Sequence, residues 1–283
     1  MIVSRVLVRV LLVCALAIPQ ASSDEAKIWQ EFVTWLKAQA DVTQIGQDRY
    51  RAKLIVDGLS ASQADERMAV IGRLIPQRRD ELSPIYFDKL YATPNQTRFT
   101  LEPNAFLVAM TKNLQPGKAL DVAMGQGRNA VYLASKGWDV TGFDVAEDGL
   151  RIAAENAART GTKITTVKAR FEDFDYGTDR WDLIYFVYTD APIVDAAFVT
   201  KVTAALKKGG LLLVDRPFHP LDWPEPEWGS PTAQDEVNAL PKAWAGLQLV
   251  NYEDTTGIGE WQQTRDDRVN KRLRIVRMLA RKR

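Results

Sequence analysis

The chain is nearly without the two side chains that most often carry nucleophilic and acid–base chemistry. Among its 283 residues there is one cysteine, Cys14, and one histidine, His219. A lone cysteine excludes an intrachain disulfide framework, and no metal site is expected from such a composition. An excess of one charge is also missing. Lysine and arginine number 37 against 36 aspartates and glutamates, which argues against the broad basic face that nucleic-acid binding needs. Internal repeats and low-complexity tracts are absent too. What is there suits a soluble globular chain: 46% hydrophobic, 26% charged and 9% aromatic residues, enough for one large domain with a small appendage.

The longest apolar run lies at the start and is too short for a comfortable membrane span. Arg5 and Arg9 precede or flank it, the run itself is Val10 to Ile18, and Ala21, Ser22 and Ser23 follow. That order reads as a secretory signal peptide over residues 1–23, cut after Ala21 or Ser23, with export to the periplasm or medium as the expectation. An uncleaved membrane anchor or a cytoplasmic protein with a misassigned start are the alternatives. Val13 before Cys14 argues against lipid attachment there. Cleavage would remove the cysteine and with it any thiol nucleophile.

Residues 24–85 read as a helical region. AKIWQEFVTWLKA puts Ile28, Trp29, Phe32, Val33 and Leu36 on one face, a second helix spans about Asp48 to Leu59, and a third is expected to be capped by Ser62 with Asp65. Packing is the expected role of all three. From residue 86 to 283 short apolar runs take over. Strands are expected at Ala119–Val122, Asp139–Phe143, Ile164–Ala169, Asp182–Val187, Leu211–Val214, Leu249–Tyr252 and Leu273–Leu279, with helical patterns between the first five. This is the signature of a parallel sheet wound by crossover helices. The last two strands are joined without a helix and should close the sheet as an antiparallel hairpin. Pro217–Pro231 reads as an extended loop.

Within this frame stands GQGRNA, Gly125 to Ala130, a G-x-G-x-x-A form of the nucleotide-binding fingerprint. Gly125 and Gly127 let the backbone turn and approach a ligand, and the helix opening near Arg128 aims free amides at it. Asp144, at the end of the next strand, can accept from a ribose diol. A nicotinamide dinucleotide and a nucleoside of another kind both fit so far. Asp121, four residues before Gly125, favours the second: a carboxylate there repels a pyrophosphate but suits a cationic sulfonium with an amino-acid tail. ALKKGGLLLVD, Ala205 to Asp215, places a turn and paired glycines before the fifth strand, and the terminal hairpin is foreign to ordinary dinucleotide domains.

The phrases LYATPNQTRFTLEPNAFL, ALDVAMGQGRNAVYLASKGWDVTGFD, FEDFDYGTDRWDLIYF and LKKGGLLLVD occur in the order and spacing of a class I S-adenosylmethionine-dependent methyltransferase. Within that class the chain resembles the tellurite-resistance and thiopurine methyltransferase-like group, from about Tyr86 to Arg281. The resemblance implies a Rossmann-like α/β fold, a seven-stranded doubly wound sheet with a C-terminal antiparallel hairpin and an N-terminal helical cap. It implies S-adenosylmethionine as cofactor. Asp121, Gly125 and Gly127 would wrap the methionine moiety, Asp144 the ribose and Val145 the adenine. Phe171 with Glu172 or Asp173 would flank the adenine, and Arg128 and Asn129 would cap the first helix near the cofactor. Residues 86–106 would fold over the site as a lid. Ala123 also belongs to this set, although the group most often has glycine there; a methyl is tolerated if the backbone avoids positive φ. Arg170 stands where an acid commonly meets adenine, shifting that contact to Glu172 or to backbone groups.

The expected function is methyl transfer to a small-molecule acceptor, with nucleic acid not expected as a partner. A methyltransferase acting on protein, and a cofactor-binding protein without transfer activity, are the alternatives. Candidate acceptor-side residues are Tyr188, which ends the fourth strand, and His219, with Tyr185, Thr189 and Asp190 nearby. Each has a plainer reading: Tyr185 as core, Asp190 as a helix cap, His219 as a loop imidazole, and Trp223 and Trp228 as loop anchors rather than stacking platforms.

Overall fold

A computed structural model describes residues 23–40, 45–92, 99–218, 233–260 and 272–283. Three helices come first: α1 Ser23–Ala38, α2 Gln47–Val56 and α3 Ala61–Leu74. Trp29, Phe32, Val33 and Leu36 recur at helical spacing and are buried against Tyr50 and Leu54 of α2 and Ala64, Ile71 and Leu74 of α3. This core is separate from that of the sheet. The cap of α3 differs from expectation. Ser60, not Ser62, opens the helix: its hydroxyl accepts from Gln63 N at 3.2 Å and its N–H donates to Gln63 Oε1 at 2.9 Å. Glutamine three places on completes the reciprocal pair, while Asp65 is drawn off by Arg51 at 2.6 Å.

A short turn, Pro76–Arg78, leads into α4, Arg79–Ala92, which runs across the boundary placed at 85/86 and carries the cap onto the sheet. Trp29 Nε1 donates to Glu81 Oε2 at 2.8 Å, tying α1 to α4. On the other side Asp148 N donates to Asp88 Oδ1 at 3.2 Å.

The sheet is built from β1 Lys118–Val122, β2 Asp139–Asp144, β3 Thr165–Lys168, β4 Trp181–Val187, β5 Leu206–Phe218, β6 Gln248–Ile258 and β7 Arg272–Arg281, in the order β3-β2-β1-β4-β5-β7-β6. The first five strands are parallel; β7 runs antiparallel to both β5 and β6. The expected seven-stranded sheet and terminal hairpin are therefore present. Helices α5 (Ala105–Thr111), α6 (Arg128–Ser135), α7 (Glu147–Arg159), α8 (Ala196–Ala205) and α9 (Ala233–Ala243) pair with it. Side chains alternate between two buried layers: Leu120, Val122, Ile184 and Phe186 face one, Ala119, Leu183 and Tyr185 the other.

Three expectations are corrected here. No helix joins β3 to β4; the segment turns instead, with Gly177 at φ 71° and its N–H bonded to Asp175 Oδ1 at 3.0 Å. Asp, Gly and Thr punctuate that stretch and favour turns over a helix. The paired glycines lie inside β5 rather than before it: Leu206 already pairs with Trp181, and pairing resumes at Leu211 after a register shift around Gly209, at φ 80°. Finally, β5 runs on through Pro217 and Phe218, held by Ile275 and Arg274 of β7, before the expected loop.

Candidate functional site

Strand order reverses between β1 and β4, and there the ends of neighbouring strands part to leave a crevice, the usual ligand position in an open parallel sheet. Each of the two strands is followed by a residue forced into the left-handed region. Ala123 has φ 58° after β1, and Tyr188 has φ 58° after β4. The condition under which alanine would be unstrained at 123 is thus not met; the turn needs the geometry that a first glycine would supply.

Beyond Ala123 the loop folds back on β2, with Met124 N donating to Phe143 O at 3.0 Å. Gly125 and Gly127 have φ 54° and 76°. A Cβ on Gly127 would lie 2.8 Å from that of Ala153, so this glycine lets α7 pack against the loop. Gly125 is pinned differently: its N–H donates to Asp144 Oδ2 at 2.8 Å, while Asp144 Oδ1 accepts from Ala146 N at 2.9 Å. Asp144 is buried. Burial raises its pKa against the pull of those backbone donors.

Asp121 is the most deeply buried carboxylate of the site. It is 3% accessible, and its Oδ2 has no hydrogen-bond partner. Tyr185, its register neighbour on β4, is fully buried, with its hydroxyl equally unpartnered. Burial, with the Asp144 charge adding to it, pushes the Asp121 carboxyl up to about 7. A carboxylate in this position is strongly in need of a donor or a cation.

Asp121, Ala123, Gly125 and Asp144 line one cavity of about 600 Å³. Of the residues the sequence assigned to the cofactor, all but Gly127 and Asp173 border it. A second and more open groove, about 720 Å³, runs beside β3 and takes in Asp173. It has neither the glycine loop nor a buried unpaired carboxylate, so the chemistry belongs to the smaller cavity. Glu172 and Asp173 are exposed and face Arg170, at 3.6 and 4.0 Å. Arg170 also pairs with Asp80 of α4, so it ties the cap to the loop after β3. Phe171 packs edge-on against Phe143, 6.2 Å between ring centres.

The polar side chains of the fingerprint have another task. Gln126 Nε2 donates to the carbonyls of Phe99 and Thr100 at 3.3 and 2.9 Å. Arg128 Nη1 donates to the carbonyls of Glu102 and Glu260 at 3.0 and 2.9 Å, and Asn129 Oδ1 accepts from Asn104 N at 2.9 Å. The segment entering α5 is thereby strapped across the site. Sequence reasoning gave no individual role to Gln126, Tyr91 or Glu260. The lid expected over residues 86–106 took in Tyr91 without singling it out, and a backbone carbonyl acceptor leaves no trace in sequence.

Tyr188 borders the cavity. Its hydroxyl accepts from Glu260 N at 3.0 Å, the Arg128 guanidinium lies 5.6 Å from its ring centre, and burial pushes its phenol up to about 12. Thr189 and Asp190 border the cavity as well, whereas Tyr185 belongs to the core. His219, Trp223 and Trp228 lie outside the described residues, as does the expected leader apart from Ser23. No helix among the described residues is long and apolar enough to cross a membrane.

Residues 119–210 match the family described as methyltransferase domain. TehB of Haemophilus influenzae, named a probable S-adenosyl-L-methionine-dependent methyltransferase, is 26% identical over 204 residues, covering 70% of this chain and 66% of that one. A ubiquinone biosynthesis O-methyltransferase of Methylobacterium nodulans is 28% identical over 185 residues, covering 57% and 73%. The crystal structure of TehB from Haemophilus influenzae shares the fold, with a TM-score of 0.54 at 20% identity over 70% of this chain and 68% of that one. The match thus spans about two thirds of the TehB sequence. Residues 119–210 therefore carry a methyltransferase domain, in a chain similar to TehB in sequence and in fold.

Proposed function

We propose that the chain transfers a methyl group from S-adenosylmethionine to a small-molecule acceptor. The observation that carries this reading is the Asp121 carboxylate, buried at the end of β1 with one oxygen unpartnered and a glycine loop beside it. The donor set fits the cofactor. Asp121 would face its ammonium, Asp144 the ribose, Val145 and Phe171 the adenine, and the backbone turn at Gly125 would admit the chain between them. A pyrophosphate would meet two carboxylates here and be repelled.

When bound, the cofactor supplies an already activated methyl group, so the protein's work is orientation and exclusion of water. The strap over residues 99–104 serves the second. Tyr188 stands at the acceptor side as a neutral phenol, because a group pushed up to about 12 does not ionise near neutral pH. It orients an acceptor by hydrogen bonding and shape; a base, where the acceptor needs one, falls to another group, for which His219 remains the candidate. We further read residues 1–23 as an export signal; cleavage after Ala21 leaves α1, which begins at Ser23, intact.

Titration calorimetry tests the cofactor part: S-adenosylhomocysteine is expected to bind and NAD not to. A screen of thiols, phenols, amines and oxyanions for methyl acceptance tests the rest. Binding of NAD with no response to S-adenosylhomocysteine would refute the reading.

A further inference from the structure

Tyr91, in the last turn of α4, reaches from the cap onto the glycine loop. A Cβ on Gly125 would strike its hydroxyl and lie 3.1 Å from Cζ. At the opposite edge of the ring, a Cβ on Gly149 would meet Cε2 at 3.0 Å and Cδ2 at 3.1 Å. Gly149 sits in the first turn of α7 without a positive φ, so its own backbone does not call for glycine. The tyrosine ring does. Two glycines from separate elements make one notch, and a cap residue fills it.

The hydroxyl at the bottom of that notch borders the cavity and has no hydrogen-bond partner among the described residues. The charges that bear on it are those of Asp144 first and Asp121 second, with Arg128 opposing them. Burial keeps the phenol protonated, so it can donate. Asp144, once ionised, can only accept. A group that donates to Asp144 while accepting from Tyr91 must itself be a hydroxyl, and a ribose presents two. We propose that Tyr91 is a cofactor-binding residue whose O–H donates to a ribose hydroxyl shared with Asp144, gripping the nucleoside from the cap side. The proposal rests on the methyl-donor reading above and adds the ribose contact to it.

Two variants and two ligands test it in the full chain by titration calorimetry. S-adenosylhomocysteine carries the amino-acid tail; 5′-methylthioadenosine keeps the adenosine and lacks that tail. Tyr91→Phe leaves the ring in its notch and removes only the hydroxyl. It should raise Kd about three- to tenfold for both ligands, the range expected for one hydrogen bond, with the melting temperature of the unliganded protein unchanged. Gly149→Ala should also weaken both ligands by displacing the ring, although alanine is the better helix former. Unchanged affinities in both variants would overturn the proposal. A loss confined to S-adenosylhomocysteine would place the hydroxyl on the amino-acid tail and overturn the ribose contact. A folded wild type that binds neither ligand would overturn the methyl-donor reading, and the Tyr91 contact with it.

Discussion

Replacing Asp121 by asparagine should make the unliganded protein more stable and the ligand weaker, and pH should separate the two effects. Burial raises the Asp121 carboxyl from its ordinary 3.8 to about 7. Between those values the folded chain holds a proton that the unfolded chain has released. For this acid the linkage therefore runs opposite to that of a salt-bridged one: stability falls as pH rises through the window and levels off above 7. At about 1.4 kcal/mol for each tenfold change in a proton-binding constant, the full cost approaches roughly 4 kcal/mol. Below the unfolded value it vanishes.

Asparagine has nearly the same shape and no charge to desolvate. The stability gap between Asp121→Asn and wild type should therefore widen in favour of the variant, by about 2–3 kcal/mol between pH 5 and pH 8. Urea unfolding of the unliganded proteins at the two pH values measures it. Calorimetry with S-adenosylhomocysteine should show the reverse sign: the variant binds about tenfold or more weakly at pH 8, the scale of losing a hydrogen bond to a charged group. Wild-type affinity should decline below pH 7, where the ligand's ammonium competes with a proton for Asp121, and the variant should lack that slope. A stability gap that does not move with pH would refute the assignment of a raised, desolvated carboxyl at this position.

Ala123→Gly should stabilise the chain by about 0.5–1 kcal/mol: relief of a left-handed alanine is worth about 1–2 kcal/mol, and the looser unfolded chain takes back about 0.4–1. The urea midpoint reads this directly, and a lower midpoint would mean the turn is not strained. Asp144→Ala removes the acceptor for Gly125 N and Ala146 N, so S-adenosylhomocysteine affinity should drop by about 1–3 kcal/mol; unchanged calorimetric affinity would remove Asp144 from the ribose. Gln126→Ala frees the carbonyls of Phe99 and Thr100 and should speed amide exchange over residues 99–104, at a global cost of about 1 kcal/mol. Exchange no faster than in wild type would show that the strap is held by other contacts.

The sheet could be read from the sequence because its determinants are local. Apolar runs such as LLLV in β5 and LIYFV in β4 exceed what a surface segment tolerates, and their spacing by helical patterns leaves few topologies. The tight turn at Gly125 and Gly127 and the place of Asp144 at the end of β2 were equally legible, since glycines and a strand-end carboxylate mark such positions by residue type. The failures share a cause. Gln126 and Phe99 are 27 positions apart, Arg128 and Glu260 are 132 apart, and in both pairs the acceptor is a carbonyl that every residue possesses. Ser60 prevailed over Ser62 because Gln63 returns its hydrogen bond, a choice between two serines that periodicity does not make. Tyr91 needed the notch between Gly125 and Gly149, which exists only once α4 lies on α7.

The fingerprint therefore divides its labour by atom type. Its glycines shape the cavity, and the side chains between and after them hold the segment that covers it. Gln126, Arg128 and Asn129 spend their hydrogen bonds on residues 99–104 and 260, not on one another. A loop that both borders the ligand and carries the strap cannot change shape for one without disturbing the other. The strain sits at the same place. Ala123 and Tyr188 leave two adjacent strands in the same disfavoured conformation, and each is held there by a sheet hydrogen bond just beyond or at the turn: Met124 N to Phe143 O at 3.0 Å and Tyr188 N to Asp215 O at 2.9 Å. Left to itself, neither residue would choose that backbone. The packed sheet imposes it, and the two turns open the crevice that the buried carboxylates of Asp121 and Asp144 border.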